Sequence, residues 1–217
     1  MPIFGKGRAG RETKIFLEKK VYRQAGKRRY RKRKKWKMEG TSFNWVAEIG
    51  FPRIFSSFLG ERNFIEMRFR EKGRPLVVLD WGCGNGRAIK GLAEKYKGKV
   101  YAYGYSGDSY KEWKGNQKVK FIHTTKEDLL RYLKDSSVDL IYSHLGLDHL
   151  FGNRLSAKTQ EAIDYIAKLV PKLSKGGIAC FGIGILAEDK IIVALQHALG
   201  ERATVVRASS EVYITRN

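Results

Sequence analysis

From Leu76 onward the chain alternates between two hydrophobic patterns. Short apolar runs, at 76–80, 99–105, 119–123, 138–143 and 177–185, read as strands. Between them apolar residues recur at three- and four-residue spacing, the period of a helix with one buried face. Ala88, Leu92, Ala93 and Tyr96 mark a helix over 87–96, and Ala162, Ile163, Ile166, Leu169 and Val170 mark one over 156–170. Ile191, Ile192, Leu195 and Leu199 do the same for 188–199. A short helix near 108–114 and a helical turn near 126–133 complete the alternation, and two strands, 203–208 and 211–216, close the chain. Such alternation predicts an α/β fold of the doubly wound, Rossmann-like kind, with a mostly parallel sheet of seven strands and helices on both faces. The run at 177–185 is almost wholly apolar, as a strand covered on both faces should be.

The pattern divides the chain into three parts. Residues 76–217 form the expected core. Residues 41–75 carry an apolar face that includes Phe43, Trp45, Ile49, Phe55, Phe58, Phe64 and Ile65, with Pro52 separating two helical patterns, the second about Arg53 to Glu71. Residues 1–40 lack any such face. They hold 16 Lys and Arg against three Glu, a net +13 of the chain's +21. Lys27–Lys37 reads KRRYRKRKKWK, and like charges so dense should not fold alone. Tyr30 and Trp36 interrupt the cations; cations track phosphates and aromatic rings stack on bases, so the mixture suits RNA. A solvated tail, a localisation address and a membrane-surface patch are the other roles for such a run.

The 217 residues suffice for one sizeable α/β domain plus an appendage. Cys83 and Cys180, the two cysteines, fall in a glycine-rich turn and a core strand, which is no disulfide framework and points to a reducing compartment. No apolar run approaches the ~20 residues of a membrane span, and the N-terminus lacks a secretory apolar segment, so a cytoplasmic protein is expected. Four His and two Cys show no zinc spacing, so no metal is expected.

The chemistry concentrates where the first strand ends. Leu76-Val77-Val78-Leu79-Asp80 runs into Trp81-Gly82-Cys83-Gly84-Asn85-Gly86, and a helix follows. Glycines at 82, 84 and 86 allow unusual dihedrals and close approach of a ligand to the backbone. The following helix start suits an anionic group. Asp80, at the strand's carboxyl end, can accept hydrogen bonds from an ammonium or from hydroxyls. A dinucleotide turn would need a third small residue, but Arg87 or Ile89 stands there, and no Gly-Lys-Ser/Thr of a phosphate-binding loop is present.

Asp80-x-Gly82-x-Gly84-x-Gly86 resembles the first motif of class I S-adenosylmethionine-dependent methyltransferases, and the resemblance continues in order to the end of the chain. It implies S-adenosyl-L-methionine as cofactor, cradled by Asp80, Gly82, Cys83, Gly84, Asn85 and Gly86. The second strand of that family ends in an acid that binds the ribose; here Ser106 stands at that place, with Asp108 two positions on. Glu127 or Asp128 matches the acid that contacts adenine after the third strand. Ser143-His144-Leu145-Gly146-Leu147-Asp148-His149-Leu150 looks like the fourth-strand loop of the broad subfamily with a Ser-x-x-x-Leu-x-His-Leu pattern, which faces cofactor and substrate. Leu169–Gly177 is similar to the family's turn into strand five, and the last two strands to its antiparallel hairpin.

Because the cofactor supplies the activated methyl, such an enzyme needs chiefly alignment of the nucleophile and exclusion of water. His144 and His149 are the candidate bases, each also able to serve as a structural loop residue. Cys83 reads as a small loop filler. The fourth-strand loop has no Asn/Asp-Pro-Pro-aromatic set, no Pro-Cys pair and no Lys-Asp-Lys-Glu set, which disfavours exocyclic base nitrogen, cytosine carbon and ribose 2′-oxygen as targets. Three functions stay open. One is a methyltransferase of tRNA or rRNA that holds its substrate through residues 1–40. Another is a methyltransferase of a small molecule or protein. The third is a non-catalytic RNA- or ribosome-binding protein with a degenerate methyltransferase fold.

Overall fold

A computed structural model describes residues 64–143, 157–182, 189–208 and 211–217. Within them helix α1 (Phe64–Lys72) precedes β1 (Leu76–Trp81), α2 (Arg87–Lys95), β2 (Val100–Ser106) and β3 (Val119–His123). Then come α3 (Lys126–Tyr132), β4 (Val138–Ser143), α4 (Ala157–Leu169), β5 (Leu173–Gly182), α5 (Asp189–Leu199), β6 (Ala203–Ala208) and β7 (Glu211–Arg216). The seven strands make one sheet in the order β3-β2-β1-β4-β5-β7-β6. The first five are parallel; β7 runs antiparallel to β5 and to β6. The chain therefore builds outward from β1 on one side, then restarts at β4 on the other. That reversal opens a crevice beyond the carboxyl ends of β1 and β4.

Both faces of the sheet are covered, as the uninterrupted apolar strands require. On one face Leu76, Val78, Leu140 and Ile178 meet Phe64 and Ile65 of α1 and Ala88, Ile89 and Leu92 of α2. On the other, Leu79, Ile141, Ala179 and Phe181 meet Leu129 of α3, Ile163 and Ile166 of α4, and Ile191 and Leu195 of α5. Fully burying a side chain such as Leu92 contributes roughly 1.5–3 kcal/mol, so the two layers rather than helix propensity hold these short helices.

Within the described residues the predicted elements recur with two main differences. Lys111–Trp113 forms a single 3₁₀ turn rather than a helix over 108–114. Strand β5 starts at Leu173, four residues before the expected 177. There Val138 pairs with Leu173 and Leu140 with Ile178, so residues 174–177 bulge opposite Asp139. Gly176 takes a φ of +66° in that bulge. The bulge turns Ser174 onto Asp139, which no hydrophobic pattern records. Of the helix expected over Arg53–Glu71, α1 is the described part; 1–63 lie outside the described residues.

Asp139 lies at the amino ends of the central strands. It accepts from Lys72 Nζ at 2.7 Å, from Arg74 Nη1 and Nη2 at 2.8 and 3.0 Å, from Ser174 Oγ at 2.7 Å, and from the Val77 N–H at 2.8 Å. One carboxylate thus ties α1, β1, β4 and β5 together. These donors hold its pKa well below the usual carboxylate range, against the opposing effect of burial.

Candidate active site

Gly82, Gly84 and Gly86 have φ values of +81°, +54° and +79°, the left-handed region in which a Cβ is disfavoured. The Gly82 and Cys83 N–H groups both donate to the Tyr105 carbonyl, at 2.9 and 2.8 Å, which pins the turn to the end of β2. Gly86 then donates to the Cys83 carbonyl at 3.0 Å. Being a glycine, Gly86 offers α2 no side-chain cap; instead Asn85 Oδ1 accepts the Arg87 N–H at 3.1 Å.

Asp80 sits where the crevice opens. In register it lies between Gly104 of β2 and Tyr142 of β4. The row continues on one face as Phe121–Gly104–Asp80–Tyr142–Cys180–Tyr213. Asp80 is 5% exposed. Burial pushes its pKa up to about 7, and the neighbouring Tyr142 hydroxyl offsets part of that rise. No ion pair among the described residues involves it. A buried carboxylate with a hydroxyl partner and no cation fits a positively charged ligand, and S-adenosylmethionine carries an ammonium and a sulfonium. Burial, with Asp80 beside it, also pushes the Cys83 thiol far above its ordinary value, which suits packing rather than nucleophilic attack.

The turn also packs against the chain itself. The space left by the missing Cβ of Gly86 is filled by the chain itself: a methyl there would strike the ring of Phe121. The same ring lies 2.8 Å from where a Gly104 Cβ would be. Phe121 stacks on Trp113, centroids 4.8 Å apart and planes at 5°, and Trp113 Nε1 donates to the Gly84 carbonyl at 2.9 Å. Tyr110 adjoins Trp113 at 5.5 Å. Gly86 and Gly104 are therefore small for internal packing. Sequence reading missed this aromatic wedge; its only trace is an aromatic in β3 at the register of a glycine in β2.

The other expected residues separate. Ser106 is buried at the end of β2, accepts the Asp108 N–H at 3.2 Å and bonds the Tyr110 hydroxyl, while Asp108 is exposed. The Asp128 carboxylate is taken up at the start of α3: it accepts from Thr125 Oγ1 at 3.0 Å and pairs with Arg131 at 3.1 Å, while Thr125 Oγ1 caps the Asp128 N–H. Glu127 beside it is exposed and has only a loose contact of 3.8 Å with Lys126. Ser143 is buried at the end of β4. His144 and His149 lie outside the described residues. On the opposite face of the same sheet edge, Trp81 Nε1 donates to the Tyr165 hydroxyl at 3.0 Å and packs on Tyr105 at 5.3 Å, a cluster the sequence reading also missed. Among the described residues no group of side chains could hold a metal, and no helix is long and apolar enough to cross a membrane.

Comparison with known proteins agrees with this geometry. Residues 78–168, from within β1 almost to the end of α4, match a family described as a methyltransferase domain. The matched stretch contains the glycine turn from Gly82 to Gly86, and the match supports S-adenosyl-L-methionine as the cofactor. No curated protein matches the chain. Among solved structures, the chain is similar to the aminoglycoside resistance methyltransferase NpmB1 at 18% identity and a TM-score of 0.48, covering 70% of this chain and 92% of that one. It is also similar to the Burkholderia thailandensis 1,6-didemethyltoxoflavin-N1-methyltransferase, solved with bound S-adenosylhomocysteine, at 16% identity and a TM-score of 0.49, covering 99% and 92%. A methyltransferase from Aquifex aeolicus gives 16% and 0.49, covering 76% and 98%.

Proposed function

We propose that the protein is an S-adenosylmethionine-dependent methyltransferase of RNA, with Asp80 as the anchor of the cofactor's charged end. The observation that carries the cofactor placement is the buried carboxylate of Asp80 beside the glycine turn, with no ion-pair partner among the described residues. The bound cofactor supplies an activated methyl for in-line displacement by the acceptor atom. The chain's own part is to bind and to orient. Asp80 receives the ammonium, Tyr142 holds the Asp80 carboxylate, and the turn from Gly82 to Gly86 lines the approach. Ser106 or Asp108 is assigned to the ribose hydroxyls and Glu127 to the adenine edge, since Asp128 is already engaged at its helix start. Ser143 is assigned to the cofactor, and His144 and His149 to the acceptor side, with either histidine able to take a proton from the acceptor.

RNA is favoured as the substrate class by the distribution of charge. The first 40 residues hold +13 of the chain's +21, interleaved with Tyr30 and Trp36. The test is to incubate purified protein with labelled S-adenosylmethionine and bulk RNA, then to resolve nucleosides by mass spectrometry. A labelled nucleoside is expected. Cofactor binding with label only on small molecules or protein would transfer the activity to another substrate. Salt-sensitive RNA binding without cofactor binding would leave a non-catalytic RNA-binding protein.

A further inference from the structure

The geometry points to a second nucleic-acid surface, on the sheet itself: we propose that the exposed tyrosines of β2 and α3, with Lys120 and Lys134, form a stacking platform for single-stranded RNA. This rests on the RNA reading above and adds a surface to it. Tyr101, Tyr103 and Tyr105 alternate along β2 and so share a face. Their burial grades from the carboxyl end backward: Tyr105 is 4% exposed, Tyr103 is half-buried and Tyr101 is 60% exposed. Tyr132, at the end of α3, is 46% exposed. Tyr101 and Tyr132 are two of the three exposed large apolar side chains among the described residues. They are not scattered. Tyr103 and Tyr132 line one open groove with Val77, Leu79, Leu133 and Lys134, about 320 Å³ in volume. Tyr101 flanks it beside Val77, its register partner.

The groove arises because α3 is only seven residues long and ends before it covers the amino-terminal half of β1 and β2. An apolar face left open this way fits several kinds of occupant, and the charges around it decide between them. Lys120, the register partner of Tyr103, holds its Nζ 5.2 Å from the centre of the Tyr132 ring. Lys134 lines the groove directly. Among the described residues neither lysine has a carboxylate partner, and no carboxylate lines the groove. The neighbouring Asp135 is taken by Lys172 at 2.6 Å. Open ring faces beside unpaired cations match a strand whose bases stack and whose phosphates are anionic. A duplex keeps its base faces stacked internally, so the surface selects unpaired nucleotides. Tyr101 lies four residues, roughly 13 Å, along β2 from Tyr105 at the carboxyl edge. Nucleotides flanking a target held at that edge can therefore reach it.

The experiment uses the full chain and a labelled single-stranded RNA of mixed sequence, with the same sequence as a duplex for comparison. Tyr101→Ala combined with Tyr132→Ala should weaken single-strand binding by about ten- to hundredfold. The matching Phe substitutions should restore it, because the ring and not the hydroxyl stacks. Melting temperature should fall little and cofactor affinity should stay at the wild-type value, since both side chains are largely exposed and neither is part of the glycine turn. Ultraviolet crosslinks should map to Tyr101 or Tyr132. Unchanged affinity in the double Ala variant, or crosslinks confined to residues 1–40, would overturn the platform even if RNA is methylated. Loss of affinity and crosslinks at these tyrosines in a protein that methylates no RNA would uphold the platform and overturn the methyl-transfer reading instead.

Discussion

Asp80 and Asp139 lie on neighbouring strands, β1 and β4, and are equally hidden at 5% and 4% exposure. They differ in company. Asp139, at the amino ends of the strands, receives two cations, a hydroxyl and a backbone N–H, and its pKa is held low. Asp80, at the carboxyl ends, has the Tyr142 hydroxyl beside it and no described cation, and its pKa is raised to about 7. A buried carboxylate that is saturated by its own chain serves the fold. One that meets no cation among the described residues is, on the proposed function, available to a ligand that brings the opposite charge. The same residue type, at the two ends of one sheet, thus stands in opposite electrostatic surroundings.

The largest effect should come from Asp139→Ala. It strands Lys72 and Arg74 at the amino ends of the strands, and removing one partner of a buried ionic network costs about 3–5 kcal/mol. Urea denaturation should show this as a lowered midpoint with an unchanged slope. A loss below about 1 kcal/mol would mean that the network is dispensable. Asp80→Asn should do the reverse. Stability should hold or rise, because a costly buried charge is gone. Affinity for S-adenosylmethionine should fall about ten- to a hundredfold, the worth of a charge-assisted hydrogen bond of ~1.5–3 kcal/mol. Calorimetry with retained affinity would remove Asp80 from the cofactor site.

The two carboxylates should also respond oppositely to pH. Asp80 is raised from 3.8 to about 7, so its protonated form favours the folded state. That stability is complete below about pH 4 and is lost as pH rises toward 7. Asp139 is lowered from 3.8, so its contribution is present above about pH 4 and fails as pH falls below it. Cofactor affinity should drop as pH falls below about 7, where Asp80 takes up a proton, and Asp80→Asn should flatten that dependence. A wild-type affinity that is level from pH 5 to 8 would contradict the assignment. The smallest effect belongs to Tyr142→Phe. Losing one hydrogen bond to Asp80 should weaken cofactor binding a few-fold, by ~0.5–1.5 kcal/mol, and move the inflection of the affinity profile to higher pH. An unmoved inflection would show that Tyr142 does not hold the carboxylate.

Much of this architecture was legible in the chain. The strands at 119–123, 138–143, 203–208 and 211–216 appear with the expected limits, because each is a short apolar run closed by polar or glycine residues. Of the site, the acid-glycine turn was legible because its glycines mark left-handed backbone at 82, 84 and 86. The start of β5 was not, since Ser174 and Gly176 look like turn residues until Asp139 is placed opposite them. Nor was the division of labour between Glu127 and Asp128, which depends on whether Thr125 caps the helix through the second of them.

Periodicity and glycine placement, both local properties, determined the order of strands and helices and the left-handed turn after β1. Which strands became neighbours was decided only in three dimensions, and register then set Gly104 and Tyr142 on either side of Asp80 and pressed Phe121 against Gly86. A carboxylate's acidity follows from the water and charges around it. Asp80 and Asp139 are therefore alike as letters in the chain and acquire opposite roles only once the sheet has closed around them.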